Sequence, residues 1–440
     1  MKNLKQSIGI RLSIIAFLTF ALLIPSFLIQ GLVSERKNRR DSVVNEIGQK
    51  WGNQQTIVGP LITVPYKHFY KIGDKVEQAI RYAHFLPGNL NITGSVSPEV
   101  RYRGIYKVIV YNSNLSISGD FRSLNLNSLN VPLKDYMFDD AYVAVGISDM
   151  TGIKNNIKIN WNDKVYTANP GITSSDVVKS GISISPDLET GKKYHFNLNL
   201  NLKGSSGLLF SPVGKQTNVQ LSSDWPNPGF TGNFLPVDRK VNSSGFTSRW
   251  RVLHLNRNFP QQWTGSNQEV SKSAFGVDLL LPVDGYQKTM RTVKYAIMFI
   301  SLTFLTFFMI ELLGEKIVHP VQYLLIGFAL VIFYILLLSI SEYVIFKIAY
   351  LISSAAIVLL ITVYSYSVLS DKIKTGIIFG VLSILYGYLY VLLQLQDYAL
   401  LLGSFGLFIV LALVMYLTRN INWFEIMDIQ SRDATETKST

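Results

Sequence analysis

The chain predicts a membrane α-helical bundle of about six spans, one N-terminal and five C-terminal, carrying a large mainly-β extracytoplasmic domain. Three observations predict it: an almost unbroken apolar tract over residues 295–419, a lone apolar stretch over 12–33, and between them a long polar segment rich in strand-like alternation. Composition reflects the mixture. Hydrophobic residues make up 48% of the chain, and the mean hydropathy of +0.24 is modest for a protein that is membrane throughout.

Residues 12–33 are long enough to cross a hydrocarbon core, which takes ~20 helical residues. Lys2, Lys5 and Arg11 precede them, and Gln30-Gly31-Leu32-Val33-Ser34 runs straight into Glu35-Arg36-Lys37 without an Ala-x-Ala cleavage pattern. The stretch is therefore read as an uncleaved anchor rather than a signal peptide, with 1–33 forming tail and anchor. Pro25 is compatible with a membrane helix.

Residues 34–294 form the predicted extracytoplasmic domain. Tyr106-Lys107-Val108-Ile109-Val110-Tyr111, Leu115-Ser116-Ile117-Ser118 and the run from Tyr194 to Leu202 alternate with period two and read as strands. In the last of these, Phe196 and the leucines face a core while the asparagines face water. Gly-Asn, Ser-Gly and Asn-Pro pairs at 88–89, 118–119 and 227–228 mark turns. A short helix is expected over 43–51. The segment exceeds a usual single core, so one large domain and two smaller ones both fit. His84-Phe85 with Leu90-Asn91-Ile92-Thr93-Gly94-Ser95 echoes His195-Phe196 with Leu200-Asn201-Leu202-Lys203-Gly204-Ser205. Either two related β-sandwich units or chance similarity among Asn/Gly/Ser-rich strands accounts for the echo.

The C-terminal tract, 295–418, divides into spans at 296–313, 321–340, 348–369, 377–393 and 398–417, followed by a polar tail over 419–440. A soluble helix of such length would show a polar face with a period of about 3.6 residues, and these show none. With the N-terminus cytoplasmic, the short cytoplasmic segments carry Lys2, Lys5, Arg11, Lys316, Lys372, Lys374 and Arg419, while the opposite loops carry only Lys347. That charge bias keeps both termini inside and exports 34–294. The cluster Arg36-Lys37-Asn38-Arg39-Arg40 argues the other way, but long loops translocate largely regardless of charge.

The net charge of +12 is spread along the chain and is densest beside the spans, at Arg36–Arg40 and at Lys288, Arg291 and Lys294. Basic residues there favour anionic lipid head groups by ~1 kcal/mol each, so the expected partner is the lipid bilayer and not nucleic acid. Cysteine is absent, which excludes disulfides and thiol chemistry. No phosphate-binding glycine loop, zinc-protease helix, nucleophile elbow or calcium loop occurs. His68, His84, His195, His254 and His319 stand apart at spacings unlike metal ligands, and Asp139-Asp140 reads as a solvated turn; no cofactor, metal or catalytic residue is expected.

Ionisable residues inside a membrane are costly and default to a functional reading. Glu311, Glu342, Lys347, Asp397 and Arg419 all fall near span ends, and Glu311 is expected to reach the interface near Lys316. Tyr386, Tyr388, Tyr390 and Gln394 admit two readings, as packing and anchoring groups or as the lining of a lipid-sized cleft below a charged rim of Glu342, Lys347 and Asp397.

Trp51-Gly52, Gln54, Gly59-Pro60 and Val64-Pro65-Tyr66 resemble the opening of the insert in the CreD family of bacterial inner-membrane proteins. So do the run His319-Pro320-Val321-Gln322-Tyr323-Leu324-Leu325-Ile326-Gly327, then Ser339-Ile340-Ser341-Glu342, Gln394 through Tyr398 to Ser404, and Met415-Tyr416-Leu417-Thr418-Arg419. The resemblance spans nearly the whole chain. Two positions depart from the family pattern: Tyr343 stands where a His is expected, and Asn422 where an Asp precedes Trp423. The resemblance implies a multi-pass inner (plasma) membrane protein supporting cell-envelope integrity, with expression tied to envelope stress, and brings no catalytic residues or substrate. Together with the residue reading it suggests a non-enzymatic protein whose periplasmic β domain binds an envelope protein, lipid or glycan. The alternative is a transporter or flippase of a lipid or small amphiphile through the tyrosine cleft.

Overall fold

The computed structural model describes residues 8–281, 285–312, 318–395 and 398–419. They fall into two compact units, Met1–Arg39 with Val283–Thr440, and Arg40–Pro282.

The first unit is helical. Helix α1 (Ile8–Ala21) runs into α2 (Leu23–Trp51) with a break at Leu22. Pro25 accounts for that break, because it has no N–H to return to the turn before it. The expected 43–51 helix is thus the end of α2 rather than a separate element. After the β unit come α3 (Gly285–Lys294), α4 (Ala296–Leu312), α5 (Pro320–Ser341), α6 (Phe346–Leu369), α7 (Lys372–Gln394) and α8 (Ala399–Thr418). Among the described residues five helices are long and apolar enough to cross a membrane, or six if α3 and α4, bent by 47° at Tyr295, count as one broken span.

Helix α5 packs against α1, α3, α4 and α6, while α7 packs against α4, α6 and α8. The bundle core is aromatic: Phe333 lies 4.8 Å from Tyr386 and 5.7 Å from Tyr350, and Phe304 lies 5.4 Å from Tyr323, all edge-on. Such edge-to-face pairs align ring quadrupoles and add to area burial. Leu22 packs where Gly327 has no side chain, so any Cβ there would clash with it.

The second unit is built on two sheets. Its strands begin with β1 (Gln55–Ile72), β2 (Lys75–Phe85), β3 (Asn89–Arg103), β4 (Tyr106–Phe121), β5 (Tyr142–Ile147) and β6 (Lys158–Trp161). Next come β7 (Lys164–Thr167), β8 (Asn169–Pro170), β9 (Gly181–Ile184), β10 (Tyr194–Ser205), β11 (Gly207–Phe210) and β12 (Gln216–Ser223). The last are β13 (Pro228–Gly232), β14 (Asp238–Asn242), β15 (Gly245–Leu253), β16 (Gln262–Thr264) and β17 (Phe275–Leu279). A nine-stranded sheet runs β13-β17-β11-β1-β5-β9-β8, with β2 also on β1 and β16 on β2. An eight-stranded sheet runs β14-β15-β12-β3-β4-β10-β6-β7.

Both sheets contribute to one apolar core, with Ile62, Val143 and Phe210 from one and Leu200, Leu221 and Trp250 from the other. In β10 Phe196, Leu198, Leu200 and Leu202 are buried while His195, Asn197 and Asn199 are exposed, as the alternation requires. Strand β1 is buried almost continuously from Gln55 to Tyr66, the pattern of a central strand covered on both faces.

The internal echo does not mark a duplication. His84-Phe85 ends β2 of the nine-stranded sheet and Leu90 lies in β3 of the other, whereas His195 through Ser205 is one continuous strand. Equivalent residues therefore occupy unlike positions, and one shared core replaces the two sandwiches considered from sequence.

Candidate functional site

The first family motif closes the junction between α2 and β1. Trp51 is held by two cations, with the Arg101 guanidinium 3.7 Å and the Lys203 ammonium 4.7 Å from its ring centroid. Its indole N–H donates to the Tyr111 carbonyl at 3.3 Å. Gly52 takes φ 134°, and a Cβ there would lie 2.7 Å from the Lys203 carbonyl oxygen, so glycine is required. Gln54 donates to Asp278 Oδ1 at 2.9 Å. Gly59-Pro60 is a cis peptide within β1, and Gly59 abuts the Ala144 carbonyl. These residues shape the root of the β unit and present no reactive group to solvent.

Beyond Tyr66, β1 leaves the core and pairs with β2 as a two-stranded arm from Lys67↔Ile80 to Ile72↔Lys75. Gly73 turns it at φ 61°, a conformation open to glycine. Since strand side chains alternate, Phe69, Val76 and Ile80 share one face with Lys67 and Lys71. Phe69 is 50%, Val76 63% and Ile80 53% exposed. Tyr70 and Ile72 are exposed on the other face, where His68 stacks on Tyr70 at 6.2 Å. Contiguous exposed apolar side chains of this kind mark contact surfaces. Sequence reading passed over the arm because alternation reveals a strand but not whether either face is covered.

His84 is buried on β2. Its Nδ1 lies 3.0 Å from Thr63 Oγ1, its Nε2 3.4 Å from Asp176 Oδ2, and its ring 5.5 Å from Trp263. Burial pushes its pKa below the usual histidine range, against the opposing pull of Asp176. The neutral ring suits these partners, with Nε2–H donating to Asp176 and Nδ1 accepting from Thr63. Thr63 is itself buried, and Asp176 is the part-exposed member of the trio. His195 is exposed on the other sheet and does not converge with His84. Asp139 and Asp140 close an exposed turn. Among the described residues no three His, Asp or Glu side chains converge as a metal site.

In the bundle, His319, Pro320 and Gln322 start α5. His319 Nδ1 accepts from the Val321 N–H at 3.3 Å, and Gln322 Oε1 accepts from the His319 N–H at 2.8 Å. This reciprocal cap satisfies donors that the first turn leaves unpaired, and Pro320 needs none. Tyr323, the next motif residue, donates to Glu311 Oε2 at 3.1 Å, while Arg11 Nη1 pairs with Glu311 Oε1 at 2.7 Å. Glu311 therefore does not reach out to the interface. It is buried, and ties α1, α4 and α5 together. Lys316, the partner expected from sequence, lies outside the described residues.

The described residues among those singled out as a rim and cleft fall into separate settings. Glu342 caps α5 and accepts from Tyr286 at 3.1 Å, with Arg36 Nε 3.9 Å away. Gln394 accepts from Lys288 at 3.2 Å. Asp397 lies outside the described residues. Tyr386 is buried against Phe299 and Phe333, and its carbonyl accepts from Tyr350 at 2.6 Å. Tyr390 packs on Tyr350 at 5.3 Å. Tyr388 points to α8, where it donates to the Leu402 carbonyl and packs on Gly406. Residues two apart on a helix face different ways, so Tyr388 is turned to α8, away from Tyr386 and Tyr390, which are four apart and both meet Tyr350. Tyr343, at the departed family position, is exposed; Tyr398 is exposed before α8, and Arg419 stacks 4.2 Å over Tyr416. Asn422 lies outside the described residues.

A family profile described as inner membrane protein CreD matches residues 7–424. The inner membrane protein CreD of Escherichia coli (strain K12) is 35% identical over 411 residues, covering 92% of this chain and 91% of that protein. Among solved structures, a Legionella pneumophila protein provisionally described as nutrient-binding aligns with 55% of this chain and 87% of its own, at 8% identity and a TM-score of 0.26. A score that low carries no argument about fold or function.

Proposed function

The chain belongs to the CreD family of inner membrane proteins, and on that premise we propose that it supports cell-envelope integrity by presenting an extracytoplasmic β unit to an envelope protein. The termini are cytoplasmic in this reading and the β unit periplasmic, because Lys372, Lys374, Arg11 and Arg419 cluster on one side by the positive-inside bias. The role is one of binding, without catalysis.

The observation that carries the reading is the arm of β1 and β2. A two-stranded ribbon with Phe69, Val76 and Ile80 exposed on one face keeps apolar area in water, at about 25 cal/mol per Å² recovered on burial. Lys67 and Lys71 on the same face favour a partner with carboxylates beside an apolar strip. Transport through a tyrosine cleft has less support, since Tyr388 is turned to α8, away from Tyr386 and Tyr390.

Photocrosslinking in cells tests the reading. A crosslinking amino acid at Phe69 or Val76 is expected to trap one envelope protein reproducibly, and the same group at exposed Leu255 to trap none. Equal, unselective labelling from all three positions would sink the arm as a docking surface.

A further inference from the structure

A cavity of about 330 Å³ opens between α2 and α3. From α2 it is lined by Val33, Ser34 and Lys37, and from α3 by Tyr286, Gln287, Met290 and Arg291. The α2 residues stand at i, i+1 and i+4, and the α3 residues at i, i+1, i+4 and i+5, so each helix contributes one stripe. Glu35 falls on the opposite side of α2 from Lys37, and among the described residues no carboxylate lines the cavity.

Depth and charge single out its ligand. Val33 is the last residue of the apolar run in α2, and Glu35-Arg36-Lys37 opens the charged run. On the other wall, α3 is the polar helix that immediately precedes apolar α4. The cavity thus lies where hydrocarbon gives way to head groups. Nearby charges are already engaged: Glu342 accepts from Tyr286 and faces Arg36, and Lys288 donates to Gln394 and lies over the Phe346 ring. Among the described residues Lys37 and Arg291 have no ion-pair partner, so two cations converge on a cavity whose remaining walls supply a hydroxyl, an amide and apolar surface.

We propose that this cavity binds the head group of an anionic phospholipid. Lys37 and Arg291 clamp the phosphate, with the planar guanidinium offering paired N–H donors. Ser34 and Gln287 donate to the remaining oxygens, and Val33 and Met290 lie against the glycerol and first methylenes. The proposal rests on membrane location alone, and does not depend on the arm or on what the β unit binds.

Native mass spectrometry of the full-length protein, delipidated in mild detergent and titrated with phosphatidylglycerol, reads the site. Wild type is expected to hold one phosphatidylglycerol tightly and phosphatidylethanolamine weakly, and millimolar inorganic phosphate should not displace the lipid. Lys37→Gln with Arg291→Gln should weaken binding about fivefold per cation and about thirtyfold together. Lys294→Gln, outside the cavity, should leave it unchanged, and Lys37→Arg with Arg291→Lys should retain most of it. Ser34→Phe with Met290→Trp, which fills the cavity without altering charge, should also abolish the tight lipid. Undiminished binding in both the charge and the filling variants would overturn the proposal, and so would an equal loss in Lys294→Gln. Displacement by inorganic phosphate at matching affinity would replace the lipid with a free anion and overturn it too. Crosslinking from Phe69 is predicted to survive every one of these substitutions, which separates this site from the arm.

Discussion

Two arginines, Arg257 buried in the β unit and Arg11 part-buried in the helical bundle, set the two regions apart. In the β unit Arg257 has no counter-charge among the described residues: its guanidinium donates to the carbonyls of Phe259, Pro260 and Val213 and to Gln261. Burial pushes its pKa down to about 10, so it still carries its proton at neutral pH. In the bundle Arg11 meets a full carboxylate, and Tyr323 satisfies that carboxylate's second oxygen. The difference follows from the solvent outside. Loops of a water-exposed β unit can turn spare carbonyls inward, whereas helices in lipid have already used theirs and must bring a charge to a charge.

The sharpest way to break this comparison is to remove one member of the bundle pair. Glu311→Ala removes the buried carboxylate that accepts from both Arg11 and Tyr323 and should cost about 1.5–3 kcal/mol, read as a fall in thermal stability of the detergent-solubilised protein. Arg11→Leu combined with Glu311→Leu should recover most of that loss, because replacing a buried ion pair by apolar groups is near neutral or better. Failure of the double variant to recover would mean that the pair specifies helix arrangement beyond its own charges.

A smaller effect is expected at the root of the β unit. Trp51→Ala removes two cation contacts of about 0.5–1 kcal/mol each in a partly exposed setting, together with the indole hydrogen bond. Trp51→Phe should keep part of the first contribution and lose the second. Chemical denaturation of the full chain, followed by β-sheet signal, distinguishes the two.

The smallest effect is a pH dependence confined to the β unit. His84 has a depressed pKa in the folded state, through burial first and despite Asp176. Below the ordinary histidine value the unfolded chain takes up a proton that the folded one resists, so stability falls as pH drops from neutrality towards the folded pKa. His84→Gln should flatten that part of the profile, and an unchanged slope would assign it to other groups.

These contrasts also explain what could be read from sequence. The alternation of Phe196, Leu198, Leu200 and Leu202 predicts both a strand and its buried face, because period two is local. Unbroken apolar runs predict α5 to α8 for the same reason. The Arg11–Glu311 pair joins residues 300 positions apart, and nothing local announces it. The bend at Tyr295 escapes notice because neither glycine nor proline stands there, although the change from the polar residues of α3 to the apolar ones of α4 marks it in retrospect. Three tyrosines within five positions suggest a cleft in one dimension, and helical rotation sends Tyr386 and Tyr388 to different neighbours. The start of α5 is a mixed case: Pro320 at the first helical position and Gln322 at the third are local signs of a helix start, whereas the capping role of His319 shows only in the structure.

The most direct test of the central claim combines Phe69→Ser, Val76→Ser and Ile80→Ser in the full chain and measures survival of producing cells under envelope stress. All three side chains are exposed, so the protein level and melting temperature should match wild type, while stress tolerance falls to that of cells lacking the protein. Full tolerance with the triple variant present at normal level would contradict the assignment of the envelope role to this arm.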